Sequence, residues 1–405
     1  MSSDNHIIVV GAGPAGSSTA LAAVRAGASV TIVDRKTNVG IPVQCGEAIG
    51  KLGPSIAEIE IPPESIRAPI RGFRVYSPGL VSVDFAYNEP NGYVLDRRVF
   101  DKELFARATE AGADSLLGAR VIDLTRTKSA VDGIVVRHHG ERKTLKAKVV
   151  VGADGTNSEI GRLTGLRRAL KPADLDSCYA YEMTNCDLEF SDLMEFLLGR
   201  QVCPRGYIWI FPKGEGRSNV GIGVGGGFGT KSAREYLDYF LKHHEVAHRQ
   251  LSKAKVIECR VGALPVCGPN KKNVVDGALL VGDAAGHVHP ITGGGMGYAV
   301  VCGSIAGKVA AQCASEGQVT ASRLEEYEIQ WRKRYGEEFS RSLKLRELLI
   351  QAEDETLDKL AGLVTGESVV RLAAAKKIKI LVKATATGDS KLIALMNGLR
   401  KLRMV

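Results

Sequence analysis

No apolar run in this chain of 405 residues approaches the roughly 18–20 that a membrane-spanning helix needs, which excludes a bundle of such helices. A secretory leader is missing too. The first apolar run, residues 7–10, follows no cationic segment and leads straight into a glycine turn, so a cytoplasmic protein is expected. The eight cysteines, at positions 45, 178, 186, 203, 259, 267, 302 and 313, include no CxxC pair and no zinc-type spacing with histidine. They are expected to be reduced and mostly buried, which leaves out a disulfide framework. His287 and His289 lie beside Asp283 without a third and fourth ligand nearby, so no metal is expected. Internal repeats and low-complexity segments are also absent, which removes solenoids from consideration.

What is present begins with "HIIVVGAGPAGSSTALAAVRAGASVTIVD", residues 6–34. Apolar residues run into Gly11, Gly13 and Gly16, followed by small residues at helical spacing, the pattern of strand, tight turn and helix. Gly11 permits the turn, Gly13 lets backbone approach a pyrophosphate, and Gly16 lets helix and strand pack closely. The phosphate would sit on the helix N-terminus, where unpaired N–H groups and the helix dipole favour negative charge. A second strand, residues 29–33, ends at Asp34, placed to accept from both ribose hydroxyls and to repel a phosphate there. The motif therefore reads as FAD or NAD rather than NADP.

The length predicts two or three domains. After the first unit comes the loop "NVGIPVQCGEAIG", residues 38–50, then strands in "GFRVYSP" and "VSVDFAYNE". A helix follows Asp96 as its N-cap and carries Val99, Leu104 and Phe105. Residues 171–262 show isolated strands, aromatic residues and turns without βα alternation, which predicts an inserted antiparallel sheet. On that stretch Tyr207, Trp209 and Phe211 alternate with Ile208 and Ile210, an aromatic edge suited to an apolar pocket or substrate channel. "GIGVGGGFG", residues 221–229, is not followed by an acid-ended strand, so a separate nicotinamide domain is not expected. Everything beyond about residue 320 looks helical.

Formal charge is +9, and residues 371–405 hold nine Lys or Arg against Asp389 alone, so this tail accounts for +8. Its cationic and apolar residues alternate as in amphipathic helices, which makes an anionic membrane surface the natural partner. A solvated helical face is the ordinary alternative. Nucleic acid is disfavoured because no aromatics are interleaved for stacking.

Two later motifs, "VVVGADGTNSEIGR" at 149–162 and "LLVGDAAGHVHPITGGGMGYA" at 279–299, combine with the first to resemble the FAD-binding scaffold of the para-hydroxybenzoate hydroxylase type. "PVQCGEA" at 42–48, "YIWIFPKGEGRSNVGIG" at 207–223 and "DAAGHVHPITGGGMGYA" at 283–299 narrow the likeness. The chain resembles the geranylgeranyl reductases, most closely the archaeal digeranylgeranylglycerophospholipid reductases, over nearly its whole length. The resemblance implies FAD contacts at Ala15, Asp34, Cys45, Gly46, Ala48, Arg97, Val121, Asp283, Gly295 and Met296, with Gly293 and Gly294 in the same turn. Arg97 suits the pyrophosphate, and Val121 suits adenine through its backbone. Asp34 stands where a glutamate is more usual, and Met296 replaces an isoleucine.

The implied fold is α/β, a Rossmann-like FAD-binding domain with an inserted antiparallel-sheet substrate domain and a C-terminal helical region. The expected boundaries are 1–75, 93–170 and 260–318 for the FAD-binding domain, 76–92 and 171–259 for the substrate domain, and 319–405 for the cationic helical region. The implied reaction is hydrogenation of the isolated alkenes of geranylgeranyl chains on glycerophospholipid precursors, with hydride from flavin N5. Such a protein would associate peripherally with the membrane. Cys45 is the first candidate for proton donor, though a thiol there could equally pack against the flavin or tune it. Glu47 reads as an acceptor for backbone N–H groups. The external reductant stays open among NADPH, a deazaflavin and a ferredoxin; a basic surface would suit an acidic electron carrier. Competing readings are an FAD-dependent aromatic hydroxylase and a flavin-free prenyl-lipid carrier on a related fold.

Overall fold

The computed structural model describes residues 6–364 and 387–401. A six-stranded sheet runs in the order Val274–Val275, Ala278–Leu280, Val149–Gly152, His6–Val10, Ser29–Asp34 and Asp114–Leu117. All pairs are parallel except that of Val274–Val275. The first strand is buried on both faces, which is why it reads as an unbroken apolar run rather than an alternating one. Ile7 and Val9 face the helices Pro14–Arg25, Arg97–Glu110 and Met296–Ser315. Ile8 and Val10 face a second layer, the three-stranded sheet of Arg120–Thr127, Ala130–His138 and Glu141–Lys146. Asp96 caps Arg97–Glu110 by accepting from Arg98 N, as expected. Its buried stripe is Phe100, Leu104 and Ala108; Val99 and Phe105 sit half-buried beside it.

Helices Pro14–Arg25 and Met296–Ser315 touch over most of their lengths. The small residues that make them look weakly patterned in sequence are what permits this. A Cβ on Gly303 would stand 2.5 Å from the Ala15 carbonyl oxygen, and one on Gly307 2.2 Å from that of Thr19.

The second large sheet has seven strands, in the order Lys255–Pro265, Leu175–Thr184, Ser218–Gly225, Tyr207–Pro212, Leu193–Leu197, Gly72–Tyr76 and Ser82–Ala86. It is antiparallel throughout save for the pair Leu193–Leu197 and Gly72–Tyr76. Helices Ala233–His243 and Glu245–Leu251 cover one face with Leu237, Phe240 and Val246. Sheet pairing places residues 72–75 and the strand Lys255–Pro265 in this unit, so the substrate sheet starts before residue 76 and ends beyond 259. Composition cannot register that pairing, because Gly72 meets its partner Leu193 across more than a hundred residues. Ala48–Gly50, Gly92–Leu95 and Ile66–Ile70 form a small sheet between the two units.

Helix Ala321–Gln351 begins inside the first core, where Leu324, Tyr327, Trp331 and Phe339 are buried, so its first half packs as part of the dinucleotide-binding unit. Its end joins Asp354–Val364 and Ser390–Lys401 in a separate cluster of Leu345, Leu392, Leu395, Met396 and Leu399. Asp358 ties this roof to the substrate sheet, accepting from Ser77 Oγ and Gly79 N at 2.6 Å each. Residues 371–386 and 402–405, more than half of the cationic tail, lie outside the described residues.

Replacing Gly307 by Ala should lower unfolding free energy by about 1–3 kcal/mol, because the helices must separate to admit one methyl group. Thermal or denaturant unfolding of the purified protein measures it; an unchanged midpoint would show that the crossing can yield.

Candidate active site

Strand His6–Val10 delivers Gly11 with φ of +109°, and its amide donates to Val33 O at 2.8 Å. A Cβ on Gly11 would lie 2.3 Å from Ala153 O, so no other residue fits the turn. At Gly13, the N-cap of Pro14–Arg25, a Cβ would meet nothing within 4 Å. The helix start is therefore an open cradle with neither a side-chain cap nor a first-turn acid, the form an anionic pyrophosphate requires. Asp34 ends the next strand and accepts from Ala12 N at 2.7 Å and Lys36 N at 2.8 Å, which fixes its carboxylate at the cradle's rim. Val121 lies on an edge strand of the three-stranded layer, beside a bulge at Ile122 in the same strand.

Asp283 follows strand Ala278–Leu280 and is half-buried on the cavity wall, where desolvation pushes its pKa above the usual carboxylate range. Thr156 Oγ1 donates to it at 3.3 Å, and Arg167 holds the Asp283 carbonyl at 2.8 Å. Gly293–Gly295 lead into helix Met296–Ser315, with Gly295 as N-cap facing the Asp283 carboxylate. Thr156, Asp283 and Gly293–Gly295, with Ala15, Asp34, Arg97, Val121 and Met296, line a single cavity of about 1330 Å³. That exceeds the roughly 300–1,000 Å³ usual for a small-ligand pocket and leaves room for a second, large molecule. The glycine cradle, the two acids and the helix N-terminus fit FAD.

The cavity continues away from the cradle into an apolar lobe. Strand Tyr207–Pro212 turns Tyr207, Trp209 and Phe211 toward it and Ile208 and Ile210 into the core behind, as a period of two demands. Phe196 from the neighbouring strand meets Tyr207 and Phe211 edge-on, with centroids 5.2 and 5.3 Å apart. The roof helices contribute Leu345, Leu349, Leu357 and Leu360. Tyr207 OH donates to Thr292 O, and burial raises its pKa, so it serves as wall rather than acid.

Between cradle and lobe lies the loop carrying Cys45, Gly46 and Glu47. Cys45 Sγ accepts from Glu47 N at 3.1 Å, and a Cβ on Gly46 would press to 2.9 Å from the Phe211 ring. Glu47 Oε1 accepts from Arg97 N at 3.1 Å, the backbone role expected of it. Its larger role was not legible. Oε2 accepts from Lys213 Nζ at 2.6 Å and Arg260 at 2.5 Å, and Glu182 takes the other side of both cations. All four side chains are at most 3 % exposed. Burial is the largest influence on Glu47 and pushes its pKa up, but Lys213 and Arg260 more than offset it and hold it below the usual range. The one sequence signal was a lysine directly after an apolar strand; nothing linked it to Glu47. Arg97 spends two donors on Asp101, at 2.6 and 2.7 Å, and stands beside Cys45.

Of the cysteines, four are buried, while Cys45, Cys178 and Cys267 are half-buried and Cys259 is exposed, fewer in the core than expected. The surface strand Lys255–Pro265 carries the exception. His287 and His289 diverge. His289 accepts from Thr292 N at 3.2 Å and bonds Ser342 at 2.9 Å, whereas His287 is sealed among Tyr327, Trp331 and Phe339 with neither ring nitrogen bonded. Segment 221–229 ends the strand Ser218–Gly225, without the strand and acid of a second dinucleotide site.

Residues 174–264 match the geranylgeranyl reductase catalytic domain, and residues 6–169 match the FAD-dependent oxidoreductase family. The digeranylgeranylglycerophospholipid reductase 2 of Methanopyrus kandleri is 38% identical over 98% of this chain and 99% of its own length. The digeranylgeranylglycerophospholipid reductase of Methanocaldococcus jannaschii is 40% identical over 93% of this chain and 94% of its own. A crystal structure of a geranylgeranyl bacteriochlorophyll reductase-like protein from Thermoplasma acidophilum superposes with a TM-score of 0.89 at 31% identity, covering 98% of each chain.

Burial lowers the pKa of His287 to about 3, against about 6.5 in an unfolded chain. Between those values the unfolded state binds the extra proton, so stability should fall as pH drops from 6.5 towards 3. Denaturant midpoints measured across that window should decline less steeply in His287→Phe than in the parent protein; parallel curves would assign the acid sensitivity elsewhere.

Proposed function

The chain belongs to the digeranylgeranylglycerophospholipid reductases within the geranylgeranyl reductase family, and on that footing we propose that it hydrogenates isoprenoid double bonds of geranylgeranyl chains on glycerophospholipid precursors. It is an FAD-dependent oxidoreductase acting on CH–CH groups. The observation that carries this reading is the continuity of the dinucleotide cradle with a large apolar lobe inside one cavity.

The cradle formed by Gly11, Gly13 and Ala15, with Gly16 packing the helix against the Gly11 turn, would hold the pyrophosphate, Asp34 the ribose, and Val121 the adenine through its backbone. Arg97 adds positive charge beside the phosphates. Asp283 receives the ribityl hydroxyls, and the N–H groups from Gly293 to Met296 stabilise negative charge at the pyrimidine edge. FAD, once reduced, supplies the hydride for one alkene carbon. Tyr207, Trp209 and Phe211 align the isoprenoid and exclude water, since an unactivated alkene reacts only when the partners are held in register. Cys45 gives the proton to the neighbouring carbon. Its place on the loop between cradle and lobe supports that role.

Each methylene exposed to water costs about 0.8 kcal/mol, so releasing a twenty-carbon chain from a bilayer would cost on the order of 15 kcal/mol. The lipid therefore enters directly from a membrane, with the protein docked peripherally on anionic headgroups. Among the described residues no helix is long and apolar enough to cross a membrane. Lys308, Lys333 and Arg334 rim a groove of about 580 Å³ floored by Ile56, Val301 and Ile305, which supports docking on phosphate, alongside the basic tail. The same basic surface suits an acidic electron carrier as the source of reducing equivalents.

Anaerobic incubation with unsaturated glycerophospholipid and chemical reductant, followed by mass spectrometry, should show stepwise gain of two hydrogens. Cys45→Ala should slow that gain by about 10²–10⁴-fold at unchanged flavin content; an unaffected rate would remove the thiol from the chemistry. Neutralising Lys376, Lys377 and Lys379 should weaken sedimentation with anionic vesicles while flavin stays bound, and undiminished binding would remove the tail from docking.

A further inference from the structure

We propose that Glu47 is a positioning residue whose carboxylate, clamped by Lys213 and Arg260 from the substrate sheet, fixes the Cys45–Gly46 turn at the junction of cradle and apolar lobe. The inference extends the reading of Cys45 given above and is independent of which lipid is bound.

Glu47 has φ of +72°, a conformation that residues other than glycine seldom adopt and that persists where the surroundings over-determine it. Here they do. The Glu47 carbonyl accepts from Leu95 N at 2.9 Å, and Oε1 takes Arg97 N, an amide left without an intrahelical partner at a helix start. Oε2 is shared by Lys213, Arg260 and, at 3.3 Å, Asn219.

Asn219 extends the clamp to the reacting side of the loop. Its Nδ2 donates to Cys45 O at 3.1 Å, while its Oδ1 accepts from Trp209 Nε1 at 2.8 Å. The thiol sulfur, the Cys45 carbonyl and the aromatic wall are thereby held by one buried set of donors and acceptors. Gly46 leaves no slack, because a Cβ there would stand 2.9 Å from the Phe211 ring.

Stability alone does not account for such an arrangement. Two cations and two carboxylates out of reach of water carry a large desolvation cost, and well-packed apolar residues of similar volume commonly serve a fold as well or better. What apolar packing cannot supply is direction: a charged fork holding one carboxylate oxygen from two sides fixes the turn that follows Cys45.

The test uses the flavin-loaded protein and compares the alkylation rate of Cys45 by iodoacetamide with that of exposed Cys259, read by peptide mass spectrometry at one fixed pH. In Glu47→Gln the ratio of the two rates should rise about tenfold as the turn loosens and the thiol becomes accessible. Single-turnover alkene reduction should fall by about 10²-fold at equal flavin occupancy. A ratio unchanged in a folded, flavin-loaded variant overturns the proposal. If that variant fails to fold, the double variant Glu47→Gln with Lys213→Met removes one cation and leaves Arg260 with Glu182 and Glu258. Recovered thermal stability with the ratio still raised supports positioning; recovery of both assigns the cluster to stability alone and overturns it. Alkylation involves no lipid, so failure of the substrate assignment would leave this measurement intact.

Discussion

Four charges without access to water join the two halves of this protein at the loop that carries Cys45. Glu47 comes from the dinucleotide-binding half, Glu182 and Arg260 come from two strands of the substrate sheet, and Lys213 directly follows a third. Neither half could bury its own share alone, since an unpaired ion in the interior is far costlier than a paired one. The docking of the sheet onto the cofactor-binding fold is thus specified electrostatically, and the apolar contacts around it fill space that the ion cluster has already oriented. The loop holding Cys45 inherits its geometry from that junction.

The cavity follows from the same arrangement. A flavin needs polar, hydrogen-bonding surroundings, and an isoprenoid needs the reverse, yet the reacting atoms must meet within van der Waals reach. The fold answers with a gradient along one continuous space, from glycine amides and carboxylates at Gly11, Asp34 and Asp283 to aromatic rings and then to leucines of the roof helices. Excluding water at the boundary matters more than any single contact, because it strengthens the electrostatics on the polar side and shelters the alkene on the other.

The roof is secured differently. Asp358 accepts from the turn at Ser77 and Gly79, Arg200 binds the carbonyls that close helix Ala321–Gln351, and Arg346 reaches Asp176 at 2.7 Å and the Pro290 carbonyl at 3.0 Å. These are polar contacts at the rim of an apolar lobe. Local opening of a few such bonds is far less costly than separating the two large sheets.

The dinucleotide unit was legible because its constraints are local. Gly11 is required by its positive φ and Gly16 by its contact with the Gly11 carbonyl, Gly13 leaves the helix start open, and Asp34 ends the strand that follows, whereas the role of Asp283 came from resemblance to the FAD-binding scaffold. The face of Tyr207, Trp209 and Phe211 was equally readable, since a strand's period of two sorts side chains without outside help. The edges of the substrate sheet at Gly72 and Pro265, the burial of His287, the exposure of Cys259 and the partners of Glu47 were decided only by tertiary structure. Each depends on which segments pair across long stretches of chain, and a carboxylate's role is set by the charges that surround it. A glycine's role is set by its own dihedral angles, and those the sequence determines directly.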